Sequence, residues 1–185
     1  MWDTPSPDLL EPWTSPDGGW SWTRSRPDDF DVRGTPHPCP ALVTIGRHAG
    51  ADVMLNLECC GALALVGSED EVDDFVRHLS LELGASPFAD APTVLLVSDA
   101  TRVAGEPEHV RLATVDDAEA SLRDRADASS ALLSSRRLTS LFTMRARAKP
   151  QDSHEPVVVV VDAASVGAEA VARLVGLANG DLGAI

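Results

Sequence analysis

The sequence predicts an α/β domain, a mostly parallel sheet flanked by helices, with a Pro/Trp-rich N-terminal arm or hairpin in front of it. Three observations predict it. Apolar runs without alternation recur at residues 62–66, 93–97 and 157–161, the pattern of strands buried on both faces. The stretches between them carry apolar residues at 3–4 spacing, as covering helices do. Strands that alternate with helices build parallel sheets, because each parallel pairing needs a crossover connection.

Residues 1–40 form the arm. They hold eight of the thirteen prolines and all four tryptophans, Trp2, Trp13, Trp20 and Trp22. Proline lacks a backbone donor and fixes φ, so no regular helix fits there. Ser15-Pro16-Asp17-Gly18-Gly19 is a turn signal, and Trp20-Ser21-Trp22-Thr23 alternates like a short strand. The expectation is a small hairpin or edge strand whose tryptophans cap the domain.

Residues 41–185 carry the α/β rhythm. Residues 41–46 read as a strand closed by Gly46 and a turn through Gly50, with 53–57 as its hairpin partner. Residues 62–66 (ALALV) then run into Gly67. Ser68 with Glu71 has capping-box spacing, and carboxylates suit a helix N-terminus. Val72, Phe75, Val76, Leu79 and Leu83 share one face of that helix, which Gly84 ends. Residues 93–97 form the next buried strand, and 109–113 a short one. Residues 115–147 read as largely helical, with Ala118, Leu122, Ala126, Leu132 and Leu133 as core positions. After a loop at 149–156, five valines at 157–161 close on Asp162, and a helix spans 166–177 before Asn179-Gly180. Residues 182–185 read as the start of another strand, so the domain is expected to be truncated at its C-terminus within a longer protein.

Charge narrows the function classes. The formal net charge is −14, which repels phosphate backbones and anionic lipid. No apolar run reaches the roughly 18–20 residues of a membrane helix. The opening residues MWDTPSPDLLEP do not read as a signal peptide. A cytoplasmic chain is expected, with any membrane tether carried by flanking segments. Cys39, Cys59 and Cys60 have no CxxC spacing, which speaks against a disulfide framework or a zinc site. His37, His48, His78, His109 and His154 are scattered, and no GxSxG elbow exposes a serine. Arg136, Arg137, Arg145 and Arg147 make up most of the chain's basic cluster and read as a possible interaction surface, for an acidic protein before nucleic acid.

The loop after residues 62–66 is where a phosphate site belongs in an α/β domain of this order. A Walker A loop reads GxxxxGK[ST], in which amides and a lysine neutralise the phosphates and a hydroxyl holds magnesium. Counted from Gly67, the second glycine, lysine and hydroxyl positions fall on Val72, Asp73 and Asp74. The loop offers Glu69, Asp70, Glu71, Asp73 and Asp74 instead of a cation. Two like charges about 4 Å apart repel by on the order of 4 kcal/mol at an effective dielectric near 20. A helix dipole returns about 0.3–1 kcal/mol. The fold therefore reads as P-loop NTPase-like but degenerate, with no cofactor expected. Asp162, at the end of the valine strand, is Walker B-like in position and reads as a turn residue; no metal is assigned to it or to the acidic loop.

These residues carry two resemblances. The order strand, Gly67 loop, helix, Ser86-Pro87 and strand 93–97 resembles the ATPase core of FtsK-type translocases and their type VII secretion relatives. Residues 157–162 look like their Walker B strand, and 174–185 (LVGLANGDLGAI) are similar to the helix and turn that follow. The chain departs from them at the glycine–lysine–hydroxyl positions. A closer resemblance is to the middle segment of actinobacterial proteins with LysM peptidoglycan-binding and bacterial transcriptional activator (BTAD) domains. It rests on Glu11-Pro12-Trp13, DGGWSW (17–22), PALVTIG (40–46), NLECCGALALVG (56–67) and LELGASPFAD (81–90). The resemblance implies flanking membrane and LysM segments before this region and an activator domain after it.

Together these readings give a non-catalytic interaction or regulatory domain of a multidomain protein. Its partner is expected to be another protein or other domains of its own longer chain. Two alternatives stand beside it: an ATPase-like domain whose nucleotide site is completed by a partner, in which Asp162 of this chain would affect turnover, and a DNA-binding accessory domain using the arginine cluster.

Overall fold

A computed structural model describes residues 39–85, 91–97, 109–145 and 154–185, together with the backbone of 13–14 and 23–24. The chain divides into two units, Met1–Asp31 and Val32–Ile185. In the first, β1 (Trp13–Thr14) pairs antiparallel with β2 (Thr23–Arg24), Trp13 opposite Arg24. The turn expected at 15–19 and the packing of the tryptophan side chains lie outside the described residues.

The second unit opens with a hairpin of β3 (Leu42–His48) and β4 (Ala51–Asn56). Ala49 and Gly50 turn it with φ of 50° and 84°, the double left-handed step that matches strand twist in a two-residue turn. Its root is buried at Ala41 and Val43, while Ile45 and Met54 towards the tip are 43% and 49% exposed. Leu57–Cys59 forms a 3-10 turn.

Next comes α1 (Glu69–Gly84), then a three-stranded parallel sheet in the order β6 (Val110–Leu112), β5 (Thr93–Val97), β7 (Val157–Val161). The sheet is flanked on both faces. Val94, Leu96, Val110 and Val158 pack with Leu79 and Leu83 of α1 and with Ala41 and Val43 at the hairpin root. Leu95, Val97 and Val157 pack with Ala118 and Leu122 of α2 (Val115–Arg136) and with Leu174 of α5 (Ala168–Leu177). Burying each such Leu or Val contributes about 1.5–3 kcal/mol, so β5, with four of its five residues buried, anchors the unit. Short helices α3 (Leu141–Arg145) and α4 (Ala163–Val166) and a 3-10 turn at Gly180–Leu182 complete it.

Polar clamps fix how the helices sit. The backbone N–H and hydroxyl of Thr44 donate to the two carboxylate oxygens of Glu82 at 2.8 and 2.7 Å, locking α1 to β3. Glu119 of α2 accepts from Arg173 of α5 and from Arg123, each at 2.7 Å. Those bonds, Arg173 first, hold its carboxyl below the usual range.

The strand expected at 62–66 does not form. Residues 63–66 are neither helix nor strand, and Leu63, Leu65 and Val66 are 48%, 38% and 97% exposed. Among the described residues no backbone hydrogen bond is made by 63–66. An apolar run becomes a strand only where a neighbour supplies the ladder, and β7 pairs with β5 and with residues 183–185 instead.

Candidate functional site

The turn that should receive a phosphate is built from α1's own N-terminus. The backbone N–H and hydroxyl of Ser68 both donate to Glu71 Oε2, at 3.2 and 2.6 Å. The two bonds from Ser68 hold the Glu71 carboxyl below its usual range. Glu69 and Asp70 fill the rest of the first turn, so the helix dipole already faces three carboxylates. Asp74 is paired with Arg77 one turn on, and Asp73 is half-buried. At Gly67 an added methyl would meet Glu71 Oε2 at 3.5 Å, an ordinary contact. No close backbone approach there requires a glycine.

Asp162 stands at the C-terminal end of β7, where the sequence places it. Its Oδ1 accepts from the Ala164 N–H at 2.9 Å and caps α4. The carboxylate thus has a local structural partner.

The arginine cluster does not make one surface. Arg136 is exposed in the last turn of α2, and Arg137 ends that helix with φ 54°. Arg145 is inside, with a side chain 0% exposed against a Glu58 carboxylate 9% exposed. Arg147 and the segment 86–90 lie outside the described residues. Arg145 as part of an exposed patch is therefore corrected: its partner comes from 87 residues upstream, a distance that spacing along the chain cannot reveal.

Around that pair lies a polar knot that the sequence did not announce. Arg145 Nη1 reaches both Glu58 carboxylate oxygens at 2.8 Å, and its Nη2 donates to the His154 carbonyl at 2.8 Å. Ser129 Oγ donates to the Leu182 carbonyl at 2.7 Å and lies 2.8 Å from His154 Nε2. With the hydroxyl hydrogen committed to the carbonyl, Nε2 is the donor to Ser129. Arg125 Nη1 lies 3.3 and 3.5 Å from the two ring nitrogens. A serine beside a histidine is the start of a nucleophile–base pair. Here Ser129 is 0% exposed and its proton is already donated, so the pair ties α2 to the C-terminal turn.

Burial, then the charges of Arg125 and Arg145, push His154 down to about 4. A histidine whose folded pKa lies below its unfolded value of about 6.5 contributes stability that is complete above pH 6.5. That stability is lost as pH falls through the window from 6.5 to 4, because the unfolded chain takes the proton first. After discounting for solvent screening of a half-buried ring, the loss is about 1–2 kcal/mol. Urea denaturation at pH 7 and pH 5 is expected to give a larger drop for the natural chain than for His154→Gln. Equal drops would show that the ring does not report this environment.

The remaining chemistry is sparse. Burial pushes the Cys39 thiol up to about 12, aided by Glu58 and Cys59, so it is no thiolate at neutral pH. Cys59 and Cys60 are exposed and free. Among the described residues no group of three or more His, Cys, Asp or Glu is placed to hold a metal, and no helix is long and apolar enough to cross a membrane. A cleft of about 270 Å³ lies between β6 and α2, lined by Arg111, Leu112, Asp117, Ser121 and Asp124 among others. Asp117 is engaged with Thr114 at the start of α2, its carboxylate accepting from the hydroxyl at 2.7 Å. Comparison with protein-family models, curated proteins and solved structures finds no significant match to this chain.

Proposed function

We propose that this chain is a non-catalytic interaction or regulatory domain. Its core is a three-stranded parallel sheet flanked by helices, α1 opens on carboxylates instead of a phosphate site, and the domain acts within a multidomain protein of the LysM/BTAD type. One observation carries the reading. The α1 N-terminus, the place for a phosphate, is closed by the Ser68–Glu71 bonds and carries Glu69 and Asp70 in the same turn. A polyanion there would meet repulsion several times larger than the dipole's attraction. The partner is a protein or other domains of the same longer polypeptide. The burial of Arg145 removes one of the cations that nucleic acid would need.

Isothermal titration with ATP and with ADP, each with magnesium, tests the reading. The expected outcome is no saturable heat up to millimolar nucleotide. Micromolar, magnesium-dependent binding would overturn it.

A further inference from the structure

The sheet carries a charge on the face that α2 covers. Side chains alternate across a strand, and Arg111 of β6 is in register with Leu95 of β5. Leu95 is fully buried and packs with Ala118 and Leu122 of α2, so Arg111 stands on that same side of the sheet. The helix meets it with a polar flank. Asp117, Ser121 and Asp124 follow one another at spacings of four and three residues, one side of a helix, and line the cleft with Arg111 and the apolar Leu95 and Ala113. The cleft holds about 270 Å³, below the roughly 300–1,000 Å³ that takes a drug-sized ligand.

The charges facing this space are only partly satisfied. The bonds from Thr114, and after them the charge of Arg111, hold the Asp117 carboxyl below its usual range. Those bonds go to Asp117 Oδ2, which leaves Oδ1 for another donor. Arg111, Ser121 and Asp124 make no side-chain hydrogen bond or ion pair among the described residues. Opposite charges that share a cleft without meeting are complementary to a ligand that carries both signs. One guanidinium against two carboxylates sets its composition: one carboxylate, which a guanidinium fork takes by two parallel bonds, and two cationic groups.

We propose that the cleft between β6 and α2 binds a free basic α-amino acid. Arg111 takes the α-carboxylate, Asp117 and Asp124 take the two ammonium groups, and the aliphatic stem lies along Leu95 and Ala113. The inference goes beyond the interaction-domain reading by giving the domain a small-molecule ligand. The cleft is on the opposite face of the sheet from α1, so the two fail separately: nucleotide binding at α1 leaves the cleft as it is, and an empty cleft leaves the phosphate argument intact.

Isothermal titration of the full chain with L-lysine tests the site, beside three compounds that each lack one charged group. Cadaverine has no carboxylate, L-norleucine no side-chain ammonium, and Nα-acetyl-L-lysine no α-ammonium. L-lysine is expected to saturate with a Kd below about 1 mM, and each of the other three to bind at least about tenfold more weakly. Arg111→Gln should erase the preference for L-lysine over cadaverine, and Asp124→Asn should weaken L-lysine about tenfold. Both side chains are exposed, and the compound series is read on the natural chain, so it decides even where a variant fails to fold. No saturable heat from L-lysine up to about 10 mM would overturn the proposal. So would equal binding of cadaverine, the mark of unspecific attraction to a chain of net charge −14, or equal binding of Nα-acetyl-L-lysine, the mark of a peptide's C-terminal lysine.

Discussion

Gly180→Ala is expected to be the most damaging single-methyl change in the unit. A β-carbon there would stand 1.7 Å from the Glu58 carbonyl oxygen and 2.5 Å from its carbon. Both are backbone atoms of the turn Leu57–Cys59, so no side-chain rotation relieves the overlap. The two 3-10 turns must separate, and that drags apart the Glu58–Arg145 pair behind them. A loss of more than about 3 kcal/mol is expected, read as a lower urea midpoint. Gly176→Ala, exposed in the last turn of α5 with nothing within 4 Å, is the matched control. It should stabilise by up to about 1 kcal/mol through helix propensity. Similar behaviour of the two variants would show that the turns do not touch as described.

Arg145→Met carries the second large effect. It leaves the Glu58 carboxylate 9% exposed with its bidentate partner gone, and it withdraws the donor to the His154 carbonyl. Removing one member of a buried pair destabilises by about 3–5 kcal/mol, because the remaining charge loses the opposite charge that offset its burial. Adding Glu58→Gln should recover part of the loss, and a double-mutant cycle by urea denaturation measures that coupling. Additive losses would mean that the two side chains do not meet.

Both effects centre on Glu58, a residue that the sequence reading left unremarked. What was legible were features decided within one element. The valines at 157–161 can do little but form a strand, Ser68 and Glu71 announce α1, and the turn read through Gly50 marks the hairpin, although β3 runs past Gly46 to His48. The readings that failed depended on partners far along the chain. The run 62–66 has the composition of a buried strand, but composition does not say whether a ladder stands beside it. Arg145 resembles its neighbours Arg136 and Arg137 in type and spacing, and only the turn holding Glu58 separates it from them. Ser129 and His154 have no motif because their relation is set by where α2 and the C-terminal turn meet. The acidic turn at Glu69–Glu71 lies between the two cases: its local capping was readable, whereas the absence of a strand before it was not.

The all-parallel order of β6, β5 and β7 has a consequence for how the chain reaches this state. The hairpin β3–β4 closes over two residues. Val157 must instead find Thr93 across 157 − 93 = 64 positions, at a loop-closure cost of about 3.7 kcal/mol plus a constant. Helices α1 and α2, the hairpin and the pairing of β5 with β6 can therefore form early, whereas the other edge of β5 waits until residues 157–161 have emerged. On a ribosome that apolar edge stands open until then, a stage at which such segments depend on chaperones.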